Sequence, residues 1–297
     1  MSRRSFCLSL AVVLLAGLLC VPVAAKSPKG RENTPVYYLS LGTSLAAGVQ
    51  ADPLTGQNVM TDVSYPRLLA EIIGADIKKL RHENLGCPLE TSDTFIVGGL
   101  CKYPHGSQLD EALKFLHAHG KFTGLITIDL GANDVLACIQ GPEIDRRCFR
   151  KAIVRLLKNL TYTLETLREA AGPDVPIVGM NYYNPLLVYW FQDPAIAEQT
   201  VKFQQQLNGT LEAVYAAFGV PVADVAGVFM VDDLETDVIG YDGGPNGIPD
   251  SVDLLCAWTW MCEVLNIHAN DDGYAVIADE FAGVLPPIRI SNPPRRR

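Results

Sequence analysis

Four short runs constrain this chain more than anything else in it: Val36–Leu41, Gly124–Asp134, Val175–Tyr183 and Val220–Gly227. "VYYLSL", "LITIDL" and "VPIVGM" are apolar at consecutive positions, not at alternate ones. A strand of that kind must be covered on both faces, the condition of a parallel sheet wrapped by helices. The segments between the runs supply the cover. Ser64–Gly74, Gly106–Gly120, Phe149–Gly172, Ala197–Gly219 and Asp271–Leu285 repeat apolar residues at helical spacing, and the first four close on glycine. This alternation predicts an α/β fold: a single domain whose parallel sheet carries helices on both faces. Met230–Asp253 is rich in Asp and Gly and reads as a long loop.

The first 25 residues stand outside this pattern. Arg3 and Arg4 precede an apolar run, and Val23-Ala24-Ala25 offers small residues before Lys26. This is the pattern of a secretory signal peptide, with an apolar core too short for a membrane span. Residues 26–35 then form an N-terminal leader, 36–286 the folded domain, and 287–297 a disordered basic tail ending in "PPRRR". About 270 residues remain after the signal peptide, near the upper end for one hydrophobic core. The mature protein is expected to be a secreted monomer, extracellular or in the cell envelope, without stable membrane insertion. Loss of Arg3 and Arg4 takes the formal charge from −9 to −11. A chain this acidic is a poor partner for nucleic acid or anionic membranes.

Cys7 and Cys20 leave with the signal peptide. Cys87, Cys101, Cys138, Cys148, Cys256 and Cys262 remain. The chain has no C-x-x-C and no histidine beside these residues at ligand spacing, which disfavours a metal. In an exported protein they read as disulfides. Sequence alone cannot choose their pairing, but short separation favours 87–101, 138–148 and 256–262.

Two of the strands stop at polar groups, where an open parallel sheet binds its ligands. One ends Gly42-Thr43-Ser44 at the mouth of a helix; another ends Gly131-Ala132-Asn133-Asp134. A hydroxyl in the first position is either a plain helix cap or a nucleophile. As a nucleophile, Ser44 would draw on the positive end of the helix. Asn133 would donate its amide to a developing oxyanion. A serine nucleophile also needs a base. Of the five histidines, His117 and His119 sit on an amphipathic helix. His82 precedes a strand-like run, and His105 lies in a cysteine-bounded loop. His268, in "LNIHANDDGY", stands just before the last helix, where a loop can return it over the sheet end. Taken alone, a loop histidine is more often solvated or structural.

The order of these blocks resembles the SGNH/GDSL hydrolases. "GTSLAAG", "NLGCPLETS", "TIDLGANDV" and "CAWTWMC" with "NIHANDDGYAVIA" follow that family's order between Val36 and about Leu285 and look like its exported bacterial branch. They do not form the α/β-hydrolase elbow, which has glycine two residues after the serine, where this chain has Ala46. The resemblance implies a flavodoxin-like three-layer sandwich and a serine esterase or lipase. It implies Ser44 as nucleophile and His268 as general base. Its oxyanion hole would combine the Ser44 N–H, a backbone N–H of the second block and the Asn133 side chain.

The chain departs from the family in three places. Thr43 stands where the family carries aspartate. Leu89 falls on the family's oxyanion glycine, with Gly86 the donor in another register; a leucine is strained there if the backbone needs a positive φ. Leu265 stands where the family often has an aspartate before the histidine. Asn266, Glu263 or a main-chain carbonyl is left to orient the ring.

"DGGPNGIPDSVD" resembles a calcium loop, with Asp242, Asn246, Asp250 and Asp253 in ligand-like places and Gly247 at the bend. Gly244 leaves one ligand position to water. The plain alternative is a polar turn. Any calcium there is expected to be structural, and the chemistry needs no cofactor. The expected substrate is a small-molecule or lipid carboxylic ester. Asn181–Phe191, Trp258 and Trp260 are either an acyl site or core. The competing expectation is an SGNH-fold protein that binds a glycan or lipid without turnover. The three departures favour it; the joint presence of Ser44, Asn133 and His268 opposes it.

Overall fold

The computed structural model of the protein describes residues 34–240 and 244–288. The expected signal peptide, most of the 26–35 leader, Asp242 and the basic tail from residue 289 lie outside the described residues.

In chain order the elements begin β1 (Val36–Gly42), α1 (Ser44–Ala47), the hairpin β2 (Val49–Ala51) and β3 (Asn58–Met60), α2 (Tyr65–Gly74), β4 (Leu80–Asn84), α3 (Ser92–Val97) and α4 (Gln108–His119). There follow β5 (Thr123–Asp129), α5 (Ala132–Leu136), the hairpin β6 (Ile139–Gln140) and β7 (Glu143–Ile144), α6 (Arg146–Ala171), β8 (Ile177–Met180) and α7 (Pro194–Ala217). The chain closes with β9 (Val222–Ala223), α8 (Val225–Val228), α9 (Asp250–Trp258), α10 (Met261–Val264) and α11 (Asp271–Gly283).

Five parallel strands form one sheet in the order β4-β1-β5-β8-β9. Counted along the chain this is the order 2-1-3-4-5, whose switch point lies between β1 and β5. The sequence expectation of a helix-covered parallel sheet holds. Every residue of β5 is buried, as are all but one of β1. Tyr38, Leu39 and Leu41 from β1 and Leu125, Ile126 and Ile128 from β5 anchor the core, each side chain contributing about 1.5–3 kcal/mol by leaving water. α2 and α11 pack together on one side, with Tyr65 and Phe281 stacked at 4.6 Å. On the other side α6 packs against α3, α4, α5 and α7. Side-chain caps fix the helix starts: Ser64, Ser107, Asp145 and Asn270 each accept a first-turn N–H.

The structure corrects two boundaries. His82 does not precede a strand but lies inside β4, stacked on Tyr38 and bonded to Ser40 Oγ at 2.8 Å. β4 is the polar edge of the sheet, so its "LRHEN" lacks the apolar signature of the inner strands. Val220–Gly227 contributes only two residues to the sheet, because Asp224 accepts the Gly227 N–H and starts α8. The disulfides are Cys87–Cys101, Cys138–Cys148 and Cys256–Cys262, the pairing that short separation favoured. Among the described residues no helix is long and apolar enough to cross a membrane.

Candidate active site

The Ser44 turn is built across two strands. Gly42 ends β1 at φ 139° and pairs in register with Asp129, the last residue of β5. A Cβ on Gly42 would lie 2.4 Å from the Asp129 carbonyl oxygen and 2.5 Å from its carboxyl carbon, so only glycine fits. Thr43 caps α1, and Ser44 is its first residue. The Thr43 N–H and hydroxyl both donate to Asp129 Oδ1, at 2.9 and 2.6 Å. The Tyr65 hydroxyl donates to Oδ2 at 2.9 Å. Burial pushes the Asp129 carboxyl up to about 7, against the opposing pull of these donors.

Gln108 clasps the other flank. It accepts the Gly42 N–H at 2.6 Å and donates to the Gly42 carbonyl at 2.9 Å and to Glu90 Oε2 at 3.0 Å. Burial raises the Glu90 carboxyl as well. The expected help from a helix dipole is small, since α1 has four residues. Hydrogen bonds to flanking side chains hold the turn instead.

The second block is tied to this turn. Cys87 N–H donates to the Gly42 carbonyl at 3.0 Å, and Asn84 Nδ2 to the Ala46 carbonyl at 2.7 Å. Gly86 lies so close to α1 that a Cβ would sit 2.6 Å from Ala47 N. Its own N–H is committed to Asn84 Oδ1 at 2.9 Å. Leu89 takes the positive φ of 66° that its place in the family's pattern foreshadows, and its side chain is exposed. Among the described hydrogen bonds none uses the Leu89 N–H or the Ser44 N–H. Asn133 Nδ2 donates one hydrogen to the Glu90 carbonyl at 2.9 Å, which leaves its second N–H uncommitted. The neighbouring Asp134 is scaffold: it is buried and accepts from the Ser92 N–H at 2.8 Å and from the Ser92 hydroxyl.

His268 sits between α10 and α11 and is buried. Its Nδ1 lies 2.7 Å from Asn266 Oδ1, which also accepts the His268 N–H at 3.1 Å. Asn266 Nδ2 donates to the Gly56 carbonyl and to Asn58 Oδ1, at 3.0 and 2.7 Å, which fixes the amide's orientation. Oδ1 can only accept, so the ring proton resides on Nδ1 and Nε2 keeps its lone pair. Burial lowers the imidazole to about 4. Of the three candidates to orient the ring, Asn266 does so; Glu263 is exposed on α10. Leu265 takes a left-handed conformation and points to solvent.

Ser44, Asn133 and His268 line one cavity of about 70 Å³. Its remaining wall is largely apolar and includes Leu136, Ile139, Ile144, Phe149 and Phe203. The Cys138–Cys148 bridge closes the hairpin that supplies Ile139 and Ile144. Tyr182, Tyr183, Asn184, Pro185 and Leu186 of the aromatic stretch reach the cavity. Trp258 packs on Phe229 and Trp260 donates to Gln50, both outside the lining. No hydrogen bond joins Ser44 Oγ to His268 Nε2 among the described residues; in unliganded sites this contact is often long and tightens with substrate. Of the other histidines, His82 bonds Ser40, His105 pairs with Glu111, His119 stacks against Tyr37, and His117 is exposed on α4.

The aspartate-rich loop spends its carboxylates on amides. Asp250 Oδ1 accepts the Val238 and Ile239 N–H groups, and Asn246 Nδ2 donates to Asp253. Asp237 accepts the Asn246 and Gly247 N–H groups. Among the described residues no three His, Cys, Asp or Glu side chains converge as metal ligands. Sequence reading missed Asp129 and Gln108. The signal for Asp129 was a lone acid inside the otherwise apolar "LITIDL".

The sequence matches the GDSL-like lipase/acylhydrolase family over residues 40–276, from β1 into α11. No curated protein matches the chain. Among solved structures, an extracellular lipase from Streptomyces rimosus superposes with a TM-score of 0.52 at 17% identity, covering 84% of this chain and 100% of that one. A native aryl esterase from M. smegmatis gives a TM-score of 0.44 at 17% identity, over 84% of this chain and 100% of its own. The first of these likenesses shows the SGNH-hydrolase fold. With its sheet order, its switch-point crevice and a family match over most of its length, the chain belongs to the GDSL-like lipase/acylhydrolase family.

Proposed function

We propose that the protein is an exported serine hydrolase of carboxylic esters, working through Ser44 and His268 without a cofactor. The observation that carries this reading is the meeting of Ser44, His268 and Asn133 at one apolar cavity. The tautomer held by Asn266 supports it. Ser44 Oγ attacks the ester carbonyl as His268 Nε2 takes its proton. The carbonyl oxygen becomes an oxyanion facing the Ser44 N–H and the free Asn133 N–H at the cavity wall, with the Leu89 N–H as the backbone donor that the family's pattern assigns, donors worth ~3–4 kcal/mol each where such groups have been removed. The intermediate collapses, the carbon–oxygen bond to the alcohol breaks, and His268 returns the proton to the leaving oxygen. Water then repeats the cycle on the acyl-enzyme. Asn266 positions the imidazole and stabilises the charge it gains.

The cavity selects the acyl group. An apolar cavity of about 150 Å³ holds a benzene. At about 70 Å³ this one takes roughly three carbons beyond the carbonyl. This size fits short straight-chain esters best. An acetyl group leaves most of the apolar wall unused, and a long chain would have to run out through the open mouth of the cavity. The signal-peptide pattern and the three disulfides fit an oxidising compartment outside the cytoplasm.

Hydrolysis of p-nitrophenyl esters from acetate to palmitate, with Ser44→Ala alongside, tests the reading. The expected optimum is near butyrate, and Phe203→Ala moves it to longer chains. Equal background rates with wild type and Ser44→Ala, in folded samples, would abandon it in favour of binding without turnover.

A further inference from the structure

We infer that Asp129 is a positioning residue for the Ser44 turn, carrying from the neighbouring strand the carboxylate that the GDSL pattern places at position 43. The inference rests on the reading of Ser44 as the nucleophile. Three observations lead to it. First, the chain lacks the acid beside its serine: the motif reads Gly42-Thr43-Ser44. Second, the register of β1 and β5 sets Asp129 directly against Gly42, and the volume a Gly42 side chain would fill holds the Asp129 carboxyl. Third, that carboxyl grips the residue before the serine by two bonds at once. Oδ1 takes both the N–H and the hydroxyl of Thr43, so it fixes the backbone and the side chain of the cap together.

The other face of the carboxyl is equally committed. Tyr65, reaching in from α2, donates to Oδ2. Thr43 and Tyr65 act on the carboxyl as donors only, and Asp129 is fully buried. A buried acid costs stability unless its lone pairs are filled. A plain helix cap needs only a side-chain oxygen at position 43 to accept the Leu45 N–H, which a serine hydroxyl or an asparagine amide oxygen would also supply. The retained acid therefore has work beyond capping: it locks Thr43, and through it the direction of Ser44 Oγ.

The arrangement predicts that the carboxylate can cross its own hydrogen bond. Asp129→Thr is expected to lower kcat by about tenfold or more with KM within about twofold, since it disturbs orientation and not substrate binding. Thr43→Asp alone is expected to be worse, because two buried carboxyls would then face each other where the present contact is 2.6 Å. The double variant Thr43→Asp/Asp129→Thr restores one acid and one hydroxyl, and its kcat should return to within about threefold of wild type. A double variant no more active than Asp129→Thr overturns the inference. Asp129→Asn keeps size and the Oδ1 acceptor, so it reports where the threonine variant does not fold. Its kcat should fall several-fold at unchanged KM, and a wild-type kcat overturns the inference as well. If the wild-type chain turns over no ester, the reading of Ser44 fails separately. Chemical unfolding of the same four proteins then decides the pairing: a coupling above about tenfold in the unfolding constant supports it, and additivity overturns it.

Discussion

On the proposed mechanism, with His268 as general base, removing the Asn266 side chain should disable that base without touching the serine. In the wild type the Nδ1 proton of His268 is held at 2.7 Å by Asn266 Oδ1. Asn266→Ala leaves that buried N–H without its partner, at a cost of about 1–3 kcal/mol. The cost grows as the ring takes up a proton during attack, so it falls mainly on kcat. At 1.4 kcal/mol per factor of ten, the expected loss is about 10- to 100-fold, with KM little changed. Stability falls too, because the Gly56 carbonyl and Asn58 Oδ1 lose the Asn266 donor. Asn266→Asp separates the two effects. Its carboxylate favours the imidazolium, so the acid limb of kcat/KM should move up from about 4. The assay is steady-state hydrolysis of p-nitrophenyl butyrate between pH 4 and 9, with thermal unfolding as control. A kcat within about twofold of wild type in Asn266→Ala, with the acid limb in place, would refute the assignment of Asn266 as the orienting group.

Further expectations concern pH, strain and covalent bracing. The folded protein lowers His268 to about 4 from an ordinary 6.5, so the stability this group contributes is present above about 6.5 and lost as pH falls toward 4; His268→Gln should flatten that part of a Tm-versus-pH curve. Asp129 is raised to about 7, so its contribution is present below its ordinary 3.8 and lost as pH rises toward 7; Asp129→Asn should shrink the Tm difference between pH 4 and pH 8. Leu89→Gly relieves a left-handed leucine and should raise stability by about 1 kcal/mol in urea unfolding, with kcat within a few-fold because the N–H stays in place. Replacing Cys87 and Cys101 by serine opens a loop with a sequence separation of 14 and should cost about 3 kcal/mol in the same assay.

What the sequence made legible follows from burial. β1, β5 and β8 are covered on both faces, so their apolar runs stand out and the parallel sheet could be read directly. β4 is an edge, and Arg81 and Glu83 deny it the apolar run that marks the inner strands. β9 pairs through two residues, too few for any pattern. In the candidate site, Ser44 and Asn133 stood out because each lies in the first turn of the helix that follows an apolar strand, and His268 because it stands just before the last helix. The partner of His268 was not. The choice of Asn266 over Glu263 depends on Gly56 and Asn58 of the β2–β3 hairpin, about two hundred residues away in sequence. Asp129 was hidden for the same kind of reason: its partners Thr43 and Tyr65 are set by strand register and helix packing.

The most direct measurement is the intact mass of the protein after exposure to an alkyl fluorophosphonate, followed by peptide mapping. Such a reagent phosphonylates a serine only where a base has made its oxygen nucleophilic, with loss of fluoride. The account predicts one adduct per chain, on Ser44, absent in Ser44→Ala and much slower in His268→Gln. No adduct on the folded protein, or an adduct at another residue, would contradict it.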